Sequence, residues 1–141
     1  MLKLMISWIW QLPQNLLGLL LSRRCKFKSV RYVDIERDIW VMVYFRSFFG
    51  SGISLGRFII LDYYKYLGQR ERLTTKHEYG HQRQSRMLGW LYLPLIGIPS
   101  LLRNIWDRIF HRKWSSEDRS RWYYGGFPEN WADHLGGVIR T

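Results

Sequence analysis

The stretch His77-Glu78-Tyr79-Gly80-His81 reads H-E-x-x-H. On a helix, residues four apart share a face, so both imidazoles can point at one metal ion while Glu78 stands beside the remaining coordination position. Catalytic zinc uses this layout, with an open position for water and a carboxylate to take the water's proton. The pentapeptide also fits an exposed helix that merely carries two of the chain's 4 histidines, so a third ligand decides between the readings.

A candidate lies downstream, in Gly126-Phe127-Pro128-Glu129-Asn130-Trp131-Ala132-Asp133. Proline favours the first helical position and glycine the position after the last, so Pro128 to Leu135, closed by Gly136-Gly137, reads as a short helix. Glu129 and Asp133 then share one face of it. Glu129 can complete a His-His-Glu set, and Asp133 can accept the spare ring N–H of a liganding histidine and so fix its tautomer.

H-E-x-x-H followed by E-x-x-x-D resembles the gluzincin metallopeptidases. The resemblance implies that His77, His81 and Glu129 bind Zn2+, that Glu78 is the general base, and that Asp133 orients His77. Gluzincins stabilise the oxyanion with a Tyr, His or Arg; Tyr123, Tyr124, Arg121 and His134 all stand near the Glu129 helix, and spacing does not choose among them. Tyr123 and Tyr124, beside Gly125-Gly126, equally fit a packing role. Longer strings also resemble a group of small bacterial proteins of this type with no known substrate: Thr75-Lys76-His77-Glu78-Tyr79-Gly80-His81, Leu88-Gly89-Trp90-Leu91-Tyr92-Leu93 with Gly97-Ile98-Pro99-Ser100, and Trp131-Ala132-Asp133 with Leu135-Gly136-Gly137. The resemblance spans roughly residues 50–140. The implied fold is a minimal α+β zincin with a small antiparallel sheet, the H-E-x-x-H helix and a C-terminal helix carrying the third ligand.

The elements that must position these residues follow from pattern. Residues 70–88 form the motif helix, with Glu71 in its first turn and Arg83 and Arg86 later, matching the helix dipole. Gly80 inside it costs roughly 1 kcal/mol against alanine, which hints at close packing or room beside the metal. Ile39 to Phe45 and Arg57 to Leu61 are β-branched and aromatic runs separated by Gly50-Ser51-Gly52, which predicts a hairpin with a long loop; a strand around Lys28 to Ile35 would pair with it. Zincins hold peptides on an edge strand, which makes Gly52 to Arg57 a candidate substrate edge, though its glycines also fit a plain turn. The polar stretch His111 to Arg121 reads as an exposed loop.

A chain of 141 residues fits one domain, 1–141, with its specificity built into the same small fold. The single Cys25 excludes an internal disulfide and a cysteine-based zinc cluster. The net charge is +11, with basic clusters after the apolar N-terminus (Arg23, Arg24, Lys26, Lys28, Arg31) and after a second apolar stretch (Arg103, Arg108, Arg112, Lys113). This placement suits an anionic membrane surface, on the cytoplasmic side; nucleic acid competes for the same charge without a recognisable binding motif, and a solvated basic surface is the plain alternative.

Residues 1–22 are apolar but interrupted by Gln11, Pro13, Gln14 and Asn15, and they run into Ser22-Arg23-Arg24 without a small-residue cleavage site. A kinked interfacial helix is expected, or else a buried helix capping the sheet. Met87 to Leu102 would be about 24 Å long as a helix, short for a membrane span. Pro94, Gly97 and Pro99 make it a re-entrant hairpin, a buried irregular connection or a core element. The function expected is zinc-dependent peptide hydrolysis at a membrane surface. A non-catalytic zinc protein and a basic nucleic-acid-associated protein are the alternatives, and Glu78 argues against the first because a structural zinc needs four ligands and no base.

Overall fold

The apolar N-terminal run folds as two helices, α1 (Leu2–Trp10) and α2 (Leu12–Arg24), which meet at Gln11. Pro13 has no N–H to give the Ile9 carbonyl one turn back, which breaks the ladder there. The indole N–H of Trp90 donates to that carbonyl instead, at 2.8 Å. The expected kink is therefore present, and a distant side chain satisfies the group it exposes. The computed structural model describes residues 2–24, 31–34, 39–44, 52–62 and 69–140. Cys25, Lys26, Lys28 and the Gly50-Ser51 part of the expected loop lie outside the described residues.

Four strands follow: β1 (Arg31–Asp34), β2 (Ile39–Tyr44), β3 (Gly52–Leu55) and β4 (Phe58–Asp62), in the order β1-β2-β4-β3. The pairings β1–β2 and β3–β4 are antiparallel, but β2 and β4 run parallel, with Trp40 opposite Phe58 and Tyr44 opposite Asp62. The α+β class holds, while the wholly antiparallel sheet and the β2–β4 hairpin do not. The reason is β3: Gly52-Ile53-Ser54-Leu55 is itself a strand that forms the hairpin with β4, and this second reversal makes β4 run in the direction of β2. Phe58 and Ile60 of β4 pack under α1 and α2 against Trp8, Leu19, Leu21 and Ile53.

The polar residues that interrupt the N-terminal run face inward. Gln14 Nε2 donates to Ser85 Oγ at 3.0 Å and to the Gly89 carbonyl at 2.9 Å, Ser85 Oγ donates to Gln11 Oε1 at 2.8 Å, and Asn15 Oδ1 accepts the Arg57 N–H at 2.9 Å. Each bond is buried, where an amide left unpaired would cost several kcal/mol at most and ~1 kcal/mol at least. They tie α2 to the motif helix α3 (Gln69–Leu88) and to the β3–β4 turn.

After α3, a 3-10 turn (Gly89–Leu91) and a π-helical turn (Leu93–Gly97) lead into α4 (Ile98–Phe110). Pro94 and Pro99 each stand at the start of a helical segment, where the missing N–H costs little. The expected hairpin, buried connection or core element is thus helical from Trp90 onward, set off from α3 by the left-handed Gly89, and only Tyr92 and Ile96 of its large apolar residues are buried. The expected loop over His111 to Arg121 is exposed but contains helix α5 (Ser116–Gly125). Ser115 starts it: its hydroxyl accepts the Asp118 N–H at 3.0 Å and donates to the Asp118 carboxylate at 2.7 Å. Arg119 clamps α5 to α4 through Asp107 at 2.6 Å.

The last helix, α6 (Glu129–Gly136), crosses α3 closely, and two glycines permit it. A Cβ on Gly80 would overlap the Ala132 carbonyl, and one on Gly136 would overlap the Lys76 carbonyl. Backbone meets backbone at both points, with no flexible side chain to yield. Gly80→Ala should therefore lower stability by about 2–3 kcal/mol, despite alanine's better helix propensity. Gly125→Ala, where a Cβ meets nothing within 4 Å, should change stability little or raise it. Denaturant unfolding of the two variants beside the parent checks both.

Candidate metal centre

His77 and His81 project from one face of α3 and Glu129 from the first turn of α6. Glu129 is fully buried, and the histidines are 4 % and 6 % exposed. One ligand atom from each lies within 4.8 Å of the others, an arrangement that could hold a metal ion. Glu129 Oε2 is the meeting point, 2.9 Å from His77 Nε2 and 3.2 Å from His81 Nε2. The rings stand edge to face, 4.7 Å between centroids. The close α3–α6 crossing is what brings the carboxylate between them.

The other ring nitrogens are equally well defined. His77 Nδ1 lies 2.7 Å from Asp133 Oδ1, and His81 Nδ1 lies 2.7 Å from Gln84 Oε1. Gln84 is oriented by its own Nε2, which donates to the Pro128 carbonyl at 3.2 Å. Each imidazole thus faces an oxygen acceptor through both nitrogens, yet a neutral imidazole carries a single N–H. With both Nδ1–H groups donating to Asp133 and Gln84, both Nε2 lone pairs turn toward Glu129. A proton on His77 Nε2, or a bound cation in its place, reconciles these nitrogens with the carboxylate.

Charge and satisfaction agree. Asp133 is paired with Arg140, Nε to Oδ2 at 2.6 Å and Nη2 to Oδ1 at 3.0 Å. Glu78 and Glu129 remain, and Glu78 Oε2 and Glu129 Oε1 are buried without a hydrogen-bond partner. Glu129 beside two imidazoles could hold a divalent ion, with Glu78 as a second buried carboxylate next to the group. Glu78 is also 4 % exposed and lies against β3: a Cβ on Gly52 would stand 2.6 Å from Glu78 Oε1. Glycine at 52 therefore lets the outer strand approach the candidate base.

The proton affinities follow from these contacts. Burial lowers the basicity of His77, but the bonds to Asp133 and Glu129 and the charges of Glu78 and Glu129 outweigh it and hold its pKa up at about 9. Burial pushes Glu129 up, and the bonds from His77 and His81 more than reverse this, keeping it below the usual carboxylate range. Asp133 behaves alike, with burial opposed by His77 and Arg140. Glu78 is raised by burial, which the charges of His77 and His81 only partly offset.

The remaining predicted residues divide. Tyr124 packs its ring on His77, 5.1 Å between centroids, and lies beneath the Arg140 guanidinium at 3.3 Å. The Tyr123 phenol is pushed far up by burial and by the charge of Glu129, and it bonds with Ser100 and Asn104. His134 and Arg121 are exposed, and Arg121 pairs with Glu117 at 3.0 Å and Asp118 at 3.9 Å; neither joins the cluster. Three contributors were not foreseen. Gln84 stands one turn from His81, a spacing that could have revealed it. Arg140 is brought to Asp133 by the left-handed turn at Gly137, which no motif announces. Tyr92 is buried, donates to the Ser54 carbonyl at 3.0 Å, and is raised by burial and by the charges of Glu78 and Glu129.

No protein-family model, curated protein or solved structure matches the chain. The geometry therefore carries the classification: an α+β protein with a buried His77-His81-Glu129 group that could hold a metal ion.

Metal must displace the proton that His77 holds below pH 9. Calorimetric titration at pH 7.5, in buffers of different ionisation enthalpy, should show at least one proton released per metal, with affinity falling as pH is lowered. In the metal-free protein the sign is reversed: the raised pKa of His77 contributes stability that is complete below its unfolded value near 6.5 and is lost as pH rises through about 9. A thermal midpoint that falls over that window without metal, and not with it, checks the assignment.

Proposed function

We propose that this protein is a zinc-dependent peptidase of minimal gluzincin type. The observation that carries the reading is Glu78: a buried carboxylate with an unpartnered oxygen, next in sequence to one ligand and facing the outer strand beside the His77-His81-Glu129 group. Two imidazoles and one carboxylate match the ligand set of catalytic zinc, and the fourth position of such a set is open to water. When bound, zinc supplies Lewis-acid activation of water and carbonyl at neutral pH.

The chain's own residues do the rest. Glu78, made more basic by burial, accepts a proton from the attacking water and delivers one to the leaving amine. Water thereby divides across the C–N bond, hydroxyl to the carbonyl carbon and hydrogen to nitrogen. Asp133, held by Arg140, and Gln84, held by the Pro128 carbonyl, keep the two imidazoles in the tautomer that presents Nε2. Of the expected Gly52 to Arg57 edge, Gly52 and Ile53 of outer strand β3 are the part left for an extended peptide, since residues 54–57 are buried. Tyr92 reaches the Ser54 carbonyl from outside the sheet, so Gly52, two residues along, offers its main-chain groups on the same side, next to Glu78. Of the oxyanion candidates, Arg121 and His134 stand outside the cluster and Tyr124 packs between His77 and Arg140, which leaves Tyr123.

A metal-binding protein without catalysis would share the ligands but not the need for Glu78. Glu78→Gln should retain stoichiometric zinc and lose roughly 10²–10⁴-fold in turnover of unfolded polypeptide substrates, followed by mass spectrometry of the cleavage products. Tyr123→Phe should keep zinc and lose less. Equal turnover in the parent and Glu78→Gln would refute the assignment.

A further inference from the structure

Helices α2 and α4 bury polar side chains and leave much of their apolar surface exposed. In α2 the buried residues include Gln14 and Asn15, whereas Leu16, Leu17 and Leu20 are exposed. In α4 the buried residue is Asp107, bound to Arg119, and Arg103 turns to the Trp122 and Tyr123 carbonyls of α5. The opposite side of α4 exposes Leu101, Leu102, Ile105, Trp106 and Ile109, spaced three and four apart on one stripe. A helix docked on a water-soluble core does the reverse.

These stripes belong to one surface. The Trp10 indole donates to the Arg86 carbonyl at 2.8 Å and the Trp90 indole to that of Ile9 at 2.8 Å, which fastens α1 to the end of α3 and the turn that follows. Exposed Ile6 and Ile9 on α1 thereby adjoin exposed Met87, Trp90 and Leu91, and the apolar run continues through Leu95 and Ile98 into α4. Trp10, Trp90 and Trp106, each about half exposed, are distributed along it. The charge around it has one sign: between residues 87 and 114 the sole acidic residue is Asp107, which is buried, while Arg108, Arg112 and Lys113 are exposed at the end of α4.

We propose that α1, the 89–91 turn and α4 form a docking face that seats in the interface of an anionic lipid bilayer. Apolar side chains, indoles and flanking cations are the three groups that this interface accommodates together. No helix among the described residues is long and apolar enough to cross a membrane, and α4 is about 20 Å long, so the helices lie along the surface. Charge argues against a second copy as the occupant: two such faces in contact would oppose their own arginines, on chains that each carry +11. Nucleic acid offers phosphate to the cations but nothing to a stripe of leucine and isoleucine. Docking would bring the His77-His81-Glu129 group near the bilayer, since His81 lies about 10 Å along α3 from Leu88 at the apolar face. The docking itself requires neither zinc nor hydrolysis.

The test is co-sedimentation of the full chain with vesicles of phosphatidylcholine alone and of phosphatidylcholine with phosphatidylglycerol, at low and high salt. The protein should bind the anionic vesicles at least about tenfold more strongly, lose that preference in high salt, and have its tryptophan fluorescence quenched by brominated lipid. The triple variant Ile105→Glu, Trp106→Glu, Ile109→Glu changes exposed positions only; it should keep the parent's circular dichroism and zinc content and lose at least about tenfold in vesicle binding. Absence of vesicle binding, equal binding to neutral and anionic vesicles, or a triple variant that binds like the parent overturns the proposal. So does a stable dimer that the same triple variant dissociates without any lipid being bound. All readouts are independent of peptidase activity, so this proposal and the zinc peptidase reading fail separately.

Discussion

A fully buried carboxylate between two imidazoles governs this molecule. Removing Glu129 from water is costly unless its charge is matched at short range, and the structure meets it with Nε2 atoms at 2.9 and 3.2 Å. Those nitrogens are available because Asp133 and Gln84 occupy the other side of each ring. Arg140 in turn neutralises Asp133, and the Pro128 carbonyl fixes Gln84. The whole shell depends on how near α6 can come to α3, which Gly80 and Gly136 set. A side chain at either position would move Glu129 away from both ligands at once.

The same economy of polar groups shapes the rest of the fold. Gln11, Gln14 and Asn15 are buried and bonded to α3 and to the β3–β4 turn, so amides and hydroxyls hold the N-terminal helices alongside the packing of Trp8, Leu19 and Leu21 on β4. This leaves Ile6, Ile9, Leu16, Leu17 and Leu20 outside, as it does the leucines and isoleucines of α4. One arrangement therefore explains both the rigid seat of the motif helix and the apolar exterior beside it.

How much of this was legible in sequence depends on range. H-E-x-x-H and the Pro128 to Leu135 helix are local patterns whose helical spacing alone puts the candidate ligands on the right faces, and the structure brings His77, His81, Glu129 and Asp133 together accordingly. Gly80 was suggestive, but only the crossing with Ala132 shows that close packing is its role. Sheet topology is not legible locally because strand direction is a long-range property: β2 and β4 have the composition of a hairpin, while the short β3 between them resembles a loop. Ser115 and Asp118, three apart, carry a local helix-start signal inside the polar stretch His111 to Arg121, so α5 is legible there. Arg140 was not legible, since it acts on Asp133 only after the chain reverses at Gly137. The polarity of the N-terminal helices was hidden for a related reason: Gln11, Gln14 and Asn15 read as interruptions, and only their partners on α3 and the β3–β4 turn reveal them as the inward face.

X-ray absorption at the zinc edge of the purified protein, with its metal content, checks whether His77, His81 and Glu129 hold a metal with a position left for water. One zinc per chain is expected, with two imidazole nitrogens at about 2.0–2.1 Å, and with carboxylate and water oxygens at about 2.0–2.2 Å. A spectrum that lacks imidazole scattering, shows a sulfur ligand, or requires four protein ligands would contradict it.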